Sequence, residues 1–307
     1  MPASLEPAIE GREGPGFGVR LARSVGGLLA QTGRDPFAVV GVTIYVVFTL
    51  VALLADVIAT HDPMEIQFLS TGKLAANVRP GAEFLLGTTN LGRDIFSQLI
   101  YGTRSALLVG LSAAFVVATL GTVGGLVSGY FGGRIDMVMM RISEIALALP
   151  FLPFVIVLAG FLGASVSNVV LAVALLLWPN AARVIRSQVL SLRERAYVEA
   201  ARVTGAGTWR VMFVHVAPNI LPLSFLYGSI AIGWAILTEA SVSFLGFGST
   251  STVSWGYMLQ DAFASQALSR GSFNWFVPPG ICIVLVVVAG FFISRGYEQV
   301  FFPKLRG

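Results

Sequence analysis

Long apolar stretches alternate with short polar ones along most of this chain. Six of them approach or exceed the roughly 20 apolar residues that a helix needs to cross the hydrocarbon core of a bilayer. The strict alternation of a membrane β-barrel is absent, so the stretches are predicted to be helices. The pattern predicts an all-α integral membrane protein with six transmembrane helices, at residues 37–59, 105–129, 137–163, 167–185, 220–246 and 275–294.

The composition agrees with a membrane location. Of the 307 residues, 55% are hydrophobic and only 12% are charged, whereas soluble domains carry about 25% charged residues. A net charge of +4 would also fit a protein that binds nucleic acid. The positions of the basic residues explain this positive charge by the orientation of the chain in the membrane. We therefore expect no nucleic-acid partner.

The basic residues are distributed unevenly between the two sides of the predicted bundle. If the N-terminus is cytoplasmic, 15 of the 20 Lys and Arg residues fall in cytoplasmic segments. Because basic residues concentrate in cytoplasmic loops, we expect both termini to be cytoplasmic. The chain is predicted to have three parts: a cytoplasmic segment 1–36, a transmembrane domain 37–296 and a cytoplasmic tail 297–307. Within the first part, residues 17–32 suit an elbow helix at the membrane interface. Within the second, residues 60–104 and 247–274 form outside loops and residues 190–219 form a cytoplasmic loop.

Residue types that commonly carry catalysis are scarce. Cys282 is the only cysteine, so no internal disulfide forms. The two lysines, Lys73 and Lys304, do not follow the glycine pattern of a Walker A sequence. His61 and His215 are the only histidines and are far apart, so no paired-histidine zinc motif exists. We therefore expect a protein that is not an enzyme and binds no cofactor or metal itself.

Residues 190–219, called the docking loop below, form an arginine-rich island in this apolar chain. Their apolar positions recur at helical spacing, which predicts a first amphipathic helix. Gly205 and Gly207 are expected to stop it, because glycine tolerates the left-handed conformation that ends helices. The apolar face of this helix is predicted at Val189, Leu192, Ala196, Ala200 and Val203.

A second short helix is predicted between these glycines and Pro218, with Trp209, Met212, Phe213 and Val216 on its apolar face. Small alanines at the tip of such a hairpin suit insertion into a groove of another protein. Glu199 offers one charge for orientation. In the alternative, this is a cytoplasmic loop without a docking role, and Glu199 pairs with Arg195 or Arg202. Such exposed ion pairs contribute only about 0.3–0.5 kcal/mol, which is too little to order thirty residues.

Glycines recur at every fourth position in the second predicted span, at Gly121, Gly125, Gly129 and Gly133. On a helix they form a smooth stripe that allows close approach of another helix. The stripe fits packing within this subunit, and it also fits a subunit interface or a pore.

Three polar residues within or near the predicted spans are candidates for pathway or structural roles. Glu144 is three residues after Arg141, at the spacing of a helical pair. Asn180 follows Trp178-Pro179 late in the fourth span. Glu239 lies near the outer end of the fifth span, and a carboxylate there is either functional or held by structural hydrogen bonds. Pro150 predicts a kink in the third span.

The docking loop resembles a known motif. The stretch EAARVTGAGTWRVMFVHVAP is similar to the EAA loop of permease subunits from binding-protein-dependent ABC importers. Further stretches resemble the dipeptide, oligopeptide and nickel permeases, on the side of the second permease of the pair: GTTNLGRDIFSQLIYGTR, GYFGGRIDMVMMR, SLRERAYVEAAR, EASVSFLGFG and SWGYML. The residues on the motif are Glu199, Ala200, Ala201, Gly205 and Pro218, whereas His215 and Ala217 replace its usual Ile and Leu.

The resemblance implies a type I importer permease in a bacterial-type cell (inner) membrane. It implies a homologous second permease, two ATPase subunits that use ATP and magnesium, and an extracytoplasmic solute-binding protein that delivers peptides, nickel complexes or oligosaccharides. A secondary transporter or channel that works without ATP is the alternative, although the charges in mid-membrane that it favours are scarce. The implied coupling residues are Arg195, Glu199, Ala200, Ala201, Arg202, Gly205, Trp209 and Pro218.

Overall fold

The computed structural model describes residues 33, 35–163, 165–249 and 251–301, with side chains up to residue 296. The expected elbow helix at 17–32 and the end of the predicted tail lie outside these residues. Every named element in the described part is helical. In chain order they are α1 (Pro36–Leu53), α2 (Ala55–Ile58), α3 (Ile95–Phe131), α4 (Gly133–Ala148), α5 (Phe151–Leu162), α6 (Val166–Leu192), α7 (Ala196–Val203), α8 (Thr208–Arg210), a π-helix (Val211–Val216), α9 (Ala217–Phe244), α10 (Trp255–Ala264) and α11 (Phe273–Phe301).

Five helical segments of the described chain are long and apolar enough to cross a membrane. They are α1, α3, α6, α11 and the continuous run Thr208–Phe244. The bent pair of α4 and α5 gives a sixth crossing when it is taken as one span. This architecture confirms the predicted all-α membrane fold, while the orientation of the termini stays a prediction.

The first span starts at Pro36, one residue before its predicted start at 37. Asp35 caps α1, and its Oδ1 accepts hydrogen bonds from the backbone N–H groups of Phe37 at 2.8 Å and Ala38 at 3.4 Å. Pro36 occupies the first turn, where a missing N–H leaves no bond unmade. A carboxylate and a proline together therefore fix where this helix begins.

The third predicted span, 137–163, is not one straight helix. α4 and α5 meet at an angle of 90°. Leu149 between them is extended, with ψ of 134°, because the ring of the following Pro150 disfavours a helical conformation in the residue before it. The kink that Pro150 predicts is therefore present as a complete break, which leaves α5 with only 12 residues.

Two long helices extend beyond their predicted bounds. α3 begins at Ile95 rather than at 105, because Asp94 caps it by accepting the N–H of Ser97 at 2.9 Å. α6 continues to Leu192 rather than ending at 185. At about 1.5 Å per residue, α3 is longer than the hydrocarbon core is thick. Hydropathy marks only the part of each helix that lipid surrounds.

The glycines of α3 lie against α6. A Cβ atom added at Gly121 would lie 2.5 Å from the Cβ of Ala181, and one at Gly125 would lie 2.6 Å from the carbonyl oxygen of Ala182. Gly129 faces α6 in the same way. Both helices belong to this chain, so the stripe serves packing within the subunit.

Gly133 does not continue this stripe, contrary to the prediction. α3 ends at Phe131, and Gly132 and Gly133 have φ values of +65° and +53°. Glycine enters this left-handed region without steric cost. Gly133 therefore turns the chain into α4 instead of facing α6.

The two predicted outside loops form an ordered cap on one end of the bundle. α10 lies within the predicted loop 247–274, and its Trp255 is buried with Trp275 and Phe84. The indole N–H of Trp255 donates to the carbonyl of Leu99 at 3.0 Å. The amide of Asn274 donates to the carbonyl of Leu86 at 2.7 Å, which ties the two loops together.

Candidate functional site

The docking loop starts where α6 ends and forms α7 after a short turn. Val189 and Leu192 of α6 are buried, as their spacing predicts. Val198 of α7 is fully buried and belongs to the same apolar cluster as Val211 and Met212. This cluster joins the loop to the ends of the long helices, so the loop is an ordered part of the bundle.

Beyond Leu192 the predicted apolar face is wrong. Ala196, Ala200 and Val203 are exposed, and Val203 retains 84% of its accessible surface. α6 stops at Leu192, and Arg195 is extended with ψ of 143°. This turn changes the helical phase, so the residues predicted to face inward project from α7 into the surroundings.

Gly205 determines where α7 ends. Its φ of +86° lies in the left-handed region, which a residue with a Cβ atom enters only with strain. The N–H of Gly205 donates to the carbonyl of Arg202, and the N–H of Ala206 donates to that of Ala201, each at 3.0 Å. These bonds satisfy the last carbonyl groups of α7 and fix the shape of the tip.

The segment after Gly207 does not form the separate short helix that the pattern predicts. α8 continues through the π-helix Val211–Val216 directly into α9. Pro218 lies in the first turn of α9, where the wider turns of the π-helix before it accommodate a residue without an N–H. The loop is therefore continuous with a helical run, Thr208–Phe244, that is long and apolar enough to cross the membrane.

The predicted second apolar face divides into a buried half and an exposed half. Met212 and Val216 are fully buried. Trp209 is 64% exposed and Phe213 is 45% exposed, and their rings stack with centroids 5.8 Å apart. The ring of Trp209 also lies edge-on to Phe131 at 6.3 Å. An exposed aromatic pair beside the tip adds an apolar contact area to the loop.

A groove of about 540 Å³ lies along the loop between α7 and α8. Burial raises the pKa of the Tyr197 phenol in its wall, and the nearby Arg195 opposes this shift. The phenol therefore stays protonated near neutral pH. The groove is lined by Tyr197, Ala200, Ala201, Thr204, Gly205, Ala206, Gly207, Arg210 and His215.

Glu199 is exposed on α7. Among the residues that the structure describes, no ion pair involves Glu199. The alternative in which it pairs with Arg195 or Arg202 is therefore not observed. The guanidinium of Arg202 lies instead over the ring of Tyr130, 5.6 Å from its centroid. The carboxylate of Glu199 is directed to solvent and available to a partner.

An ionic clasp, formed by Asp136 of α4 and Arg186 of α6, lies at the base of the loop. Two hydrogen bonds of 2.5 Å join the side chains, and Ser128 donates a third to Asp136 at 2.5 Å. Arg193 at the end of α6 donates to the carbonyl of Gly129 at 3.0 Å. Sequence reasoning missed this clasp, although its signal is a carboxylate and a guanidinium at the ends of two apolar segments.

The three polar candidates occupy separate places and do not join the docking loop. Glu144 forms an exposed ion pair with Arg141 at 2.9 Å. Glu239 is only 8% exposed, and it accepts a hydrogen bond from Ser243 at 2.6 Å. Asn180 is exposed on the surface of α6 beside two cavities.

The loop has the chemistry of a recognition surface. It exposes small apolar side chains, one aromatic pair, a carboxylate without an ion-pair partner among the described residues and the arginines Arg195, Arg202 and Arg210. Within the described ranges, no group of three or more His, Cys, Asp and Glu side chains is arranged to hold a metal ion.

The fold and the loop correspond to a known protein family. The family model described as binding-protein-dependent transport system inner membrane component matches residues 121–307. The chain belongs to this family. As a member it is a multi-pass membrane permease, and the matched region contains the docking loop, the clasp and the bent pair of helices.

Curated relatives cover most of this permease. It is 35% identical over 280 residues to a dipeptide transport system permease protein of Alkalihalophilus pseudofirmus, covering 90% of this chain and 88% of the relative. It is also 35% identical over 275 residues to an oligopeptide transport system permease protein of Bacillus subtilis, covering 89% and 87%. A glutathione transport system permease protein of Pectobacterium atrosepticum is 35% identical over 231 residues, covering 75% and 76%.

Proposed function

We propose that this permease is one membrane-spanning subunit of an ATP-driven importer for peptides. In this proposal a homologous second permease completes the membrane domain, and two ATPase subunits bind ATP and magnesium below it. A solute-binding protein delivers the cargo to the outer face. The permease hydrolyses nothing itself; it converts the motion of the ATPases into opening and closing of the pathway through the docking loop.

The observation that carries this proposal is the construction of the docking loop. Its buried side joins the ends of α3, α6 and α9 in one apolar cluster, and it continues into α9 without a break. Its outer side presents Glu199, Ala200 and Val203 to solvent. A loop that is packed into the bundle on its inner side and carries exposed charged and small apolar side chains on its outer side suits the transfer of force between two proteins.

Peptides are the proposed cargo because the similar permeases of Alkalihalophilus and Bacillus are named for dipeptide and oligopeptide transport. The similarity to these two permeases covers about nine-tenths of both chains. Nickel complexes and oligosaccharides, which the resemblance of the sequence also admits, are the competing cargoes in a transport assay.

The coupling role is tested with the complete transporter in proteoliposomes. Reversing the charge of Glu199 with Glu199→Lys removes the free carboxylate of the loop, and Gly205→Pro disrupts the turn that shapes its tip. We expect ATP-driven peptide uptake to fall at least tenfold in both variants, whereas the ATPase subunits continue to hydrolyse ATP.

A matched control is Glu83→Lys, a charge reversal at an exposed residue of the opposite cap, which we expect to leave ATP-driven uptake unchanged. Because Glu199 is exposed, its variant is expected to fold, so loss of uptake is not a folding effect. Uptake at the wild-type rate in both loop variants would show that the loop does not couple the two activities.

A further inference from the structure

One face of α6 is polar in the last part of its predicted span, residues 167–185, and in the turns that follow it. Four polar residues recur at spacings of three, four and four, and all are exposed. Such spacing places them on one side of a helix. On the opposite side, Leu171 and Leu175 are exposed and apolar, as expected of a surface that contacts lipid. The four polar residues are Asn180, Arg183, Ser187 and Ser191.

Asn180 lies within the predicted span 167–185, about 21 Å along α6 from Val166. Acyl chains around this span would offer its amide no hydrogen-bond partner. Its side-chain amide makes no hydrogen bond to any described residue. Exposing such a group to acyl chains costs several kcal/mol. This face of α6 therefore borders water, a polar ligand or another protein.

Two adjoining cavities open at this level of the helix. Their volumes are about 280 and 300 Å³, and they share Leu177, Asn180 and Trp234. The second cavity reaches the break between α4 and α5, where Leu149 and Phe151 form its wall. No acidic or basic side chain lines either cavity. The two cavities thus lie on either side of shared wall residues, and the polar groups of their walls are neutral.

Trp234 is held in place at the centre of this space. Its ring lies edge-on to Phe151 of α5 with centroids 5.9 Å apart, yet 43% of the residue remains exposed. The indole N–H has no hydrogen-bond partner among the described residues. An oriented ring with a free donor, next to the free amide of Asn180, resembles the wall of a binding site more than a packed core.

We propose that Asn180 and Trp234 contact the main chain of an extended peptide as it crosses the membrane. The amide of Asn180 both donates and accepts hydrogen bonds, which matches the alternating carbonyl and N–H groups of a peptide. The indole of Trp234 donates to a carbonyl and covers the chain with its ring. Because these contacts are made to the main chain, the site does not select a peptide by its side chains. This inference rests on the proposed importer function.

The first test is the accessibility of single cysteines, which the chain favours because Cys282 is its only cysteine. Asn180→Cys and Ser187→Cys are introduced into a Cys282→Ala background, with Leu171→Cys as the control on the apolar face. The assembled transporter, with both permeases, the ATPases and the binding protein, is treated with a charged methanethiosulfonate. We expect labelling of the two polar-face cysteines to be at least tenfold faster than labelling at 171.

Each other outcome of this test contradicts the inference. If the polar-face cysteines react only after the second permease has been removed, the face is a subunit interface. If the cysteine at 171 reacts equally fast, α6 is surrounded by water and has no distinct pathway face.

The second test measures uptake of a random tetrapeptide mixture. We expect Asn180→Leu to reduce ATP-driven uptake at least tenfold and Asn180→Gln, which keeps the amide, to recover most of the loss. Leu171→Ala serves as the control. Uptake unchanged in Asn180→Leu would overturn the proposed contact, whereas the importer function itself would still be supported if Glu199→Lys abolished uptake.

Discussion

Three glycines of α3 set the distance between this helix and α6. At Gly121, Gly125 and Gly129, an added Cβ atom would lie between 2.5 and 2.8 Å from an atom of α6, closer than non-bonded carbon atoms approach. Without side chains at these positions the two backbones pack directly, which is how helices associate in membranes without a hydrophobic driving force.

Gly125→Leu tests this packing at the residue scale. The new side chain has no space beside the carbonyl oxygen of Ala182 and Ile185, and overpacking of this kind costs about 1–3 kcal/mol. We expect a lower midpoint of thermal unfolding in detergent. Gly160→Leu is the matched control, because no atom lies within 4 Å of the Cβ position at Gly160 in α5. Equal midpoints for the two variants would contradict the close approach.

At the scale of elements, the docking loop, the ionic clasp and the broken third span form one connected unit. The clasp joins α4 to α6 directly above the loop, and its side chains are only 17% and 29% exposed. The break at Pro150 then separates α4 from α5. The loop is thus linked to α4 through the clasp and to α9 through the continuous backbone, whereas α5 packs through Val155 and Ala159 against α6 and α9.

Exchanging the two charges of the clasp tests this connection. Hydrogen bonds to charged groups contribute about 1.5–3 kcal/mol, so we expect Asp136→Ala to lower the free energy of unfolding by about that amount and to reduce ATP-driven uptake. The double variant Asp136→Arg with Arg186→Asp is expected to recover part of both, measured by thermal unfolding and by uptake.

The matched control for the clasp is Glu144→Ala, which removes the exposed ion pair with Arg141 at the other end of the same helix. Such helical pairs contribute only about 0.2–0.5 kcal/mol, so little change is expected. A double variant no more stable than Asp136→Ala, or equal losses at Asp136 and Glu144, would contradict the assigned role of the clasp.

At the scale of the whole molecule, the sequence was sufficient where a single local property decides the structure. Hydropathy located the spans, and Pro150 and Gly205 marked a break and an end. The sequence was insufficient where the contact between segments that are distant in the chain determines which side of a helix is buried. Val198 faces inward only because α6 ends at Leu192 and the turn after it changes the helical phase. The spacing of apolar residues within the docking loop does not predict this turn.

The candidate site shows the same division. The EAA resemblance identified the docking loop, and Gly205 identified its turn. The clasp was missed because Asp136 and Arg186 are fifty residues apart and meet only after α3, α4 and α6 have packed. Asn180 was singled out by its position in an apolar span, but its association with Trp234 depends on how α6 and α9 are arranged in space.

The most direct test of the central claim is crosslinking from the tip of the docking loop. Ala200→Cys in the Cys282→Ala background carries a photoactivatable label, and the assembled transporter is illuminated with and without ATP. We predict an adduct with an ATPase subunit whose yield changes when ATP binds. The same label on the control variant Lys73→Cys, in the opposite cap, is expected to give no adduct with an ATPase. An adduct of Ala200 with the solute-binding protein, or no adduct with an ATPase in either state, would contradict the account.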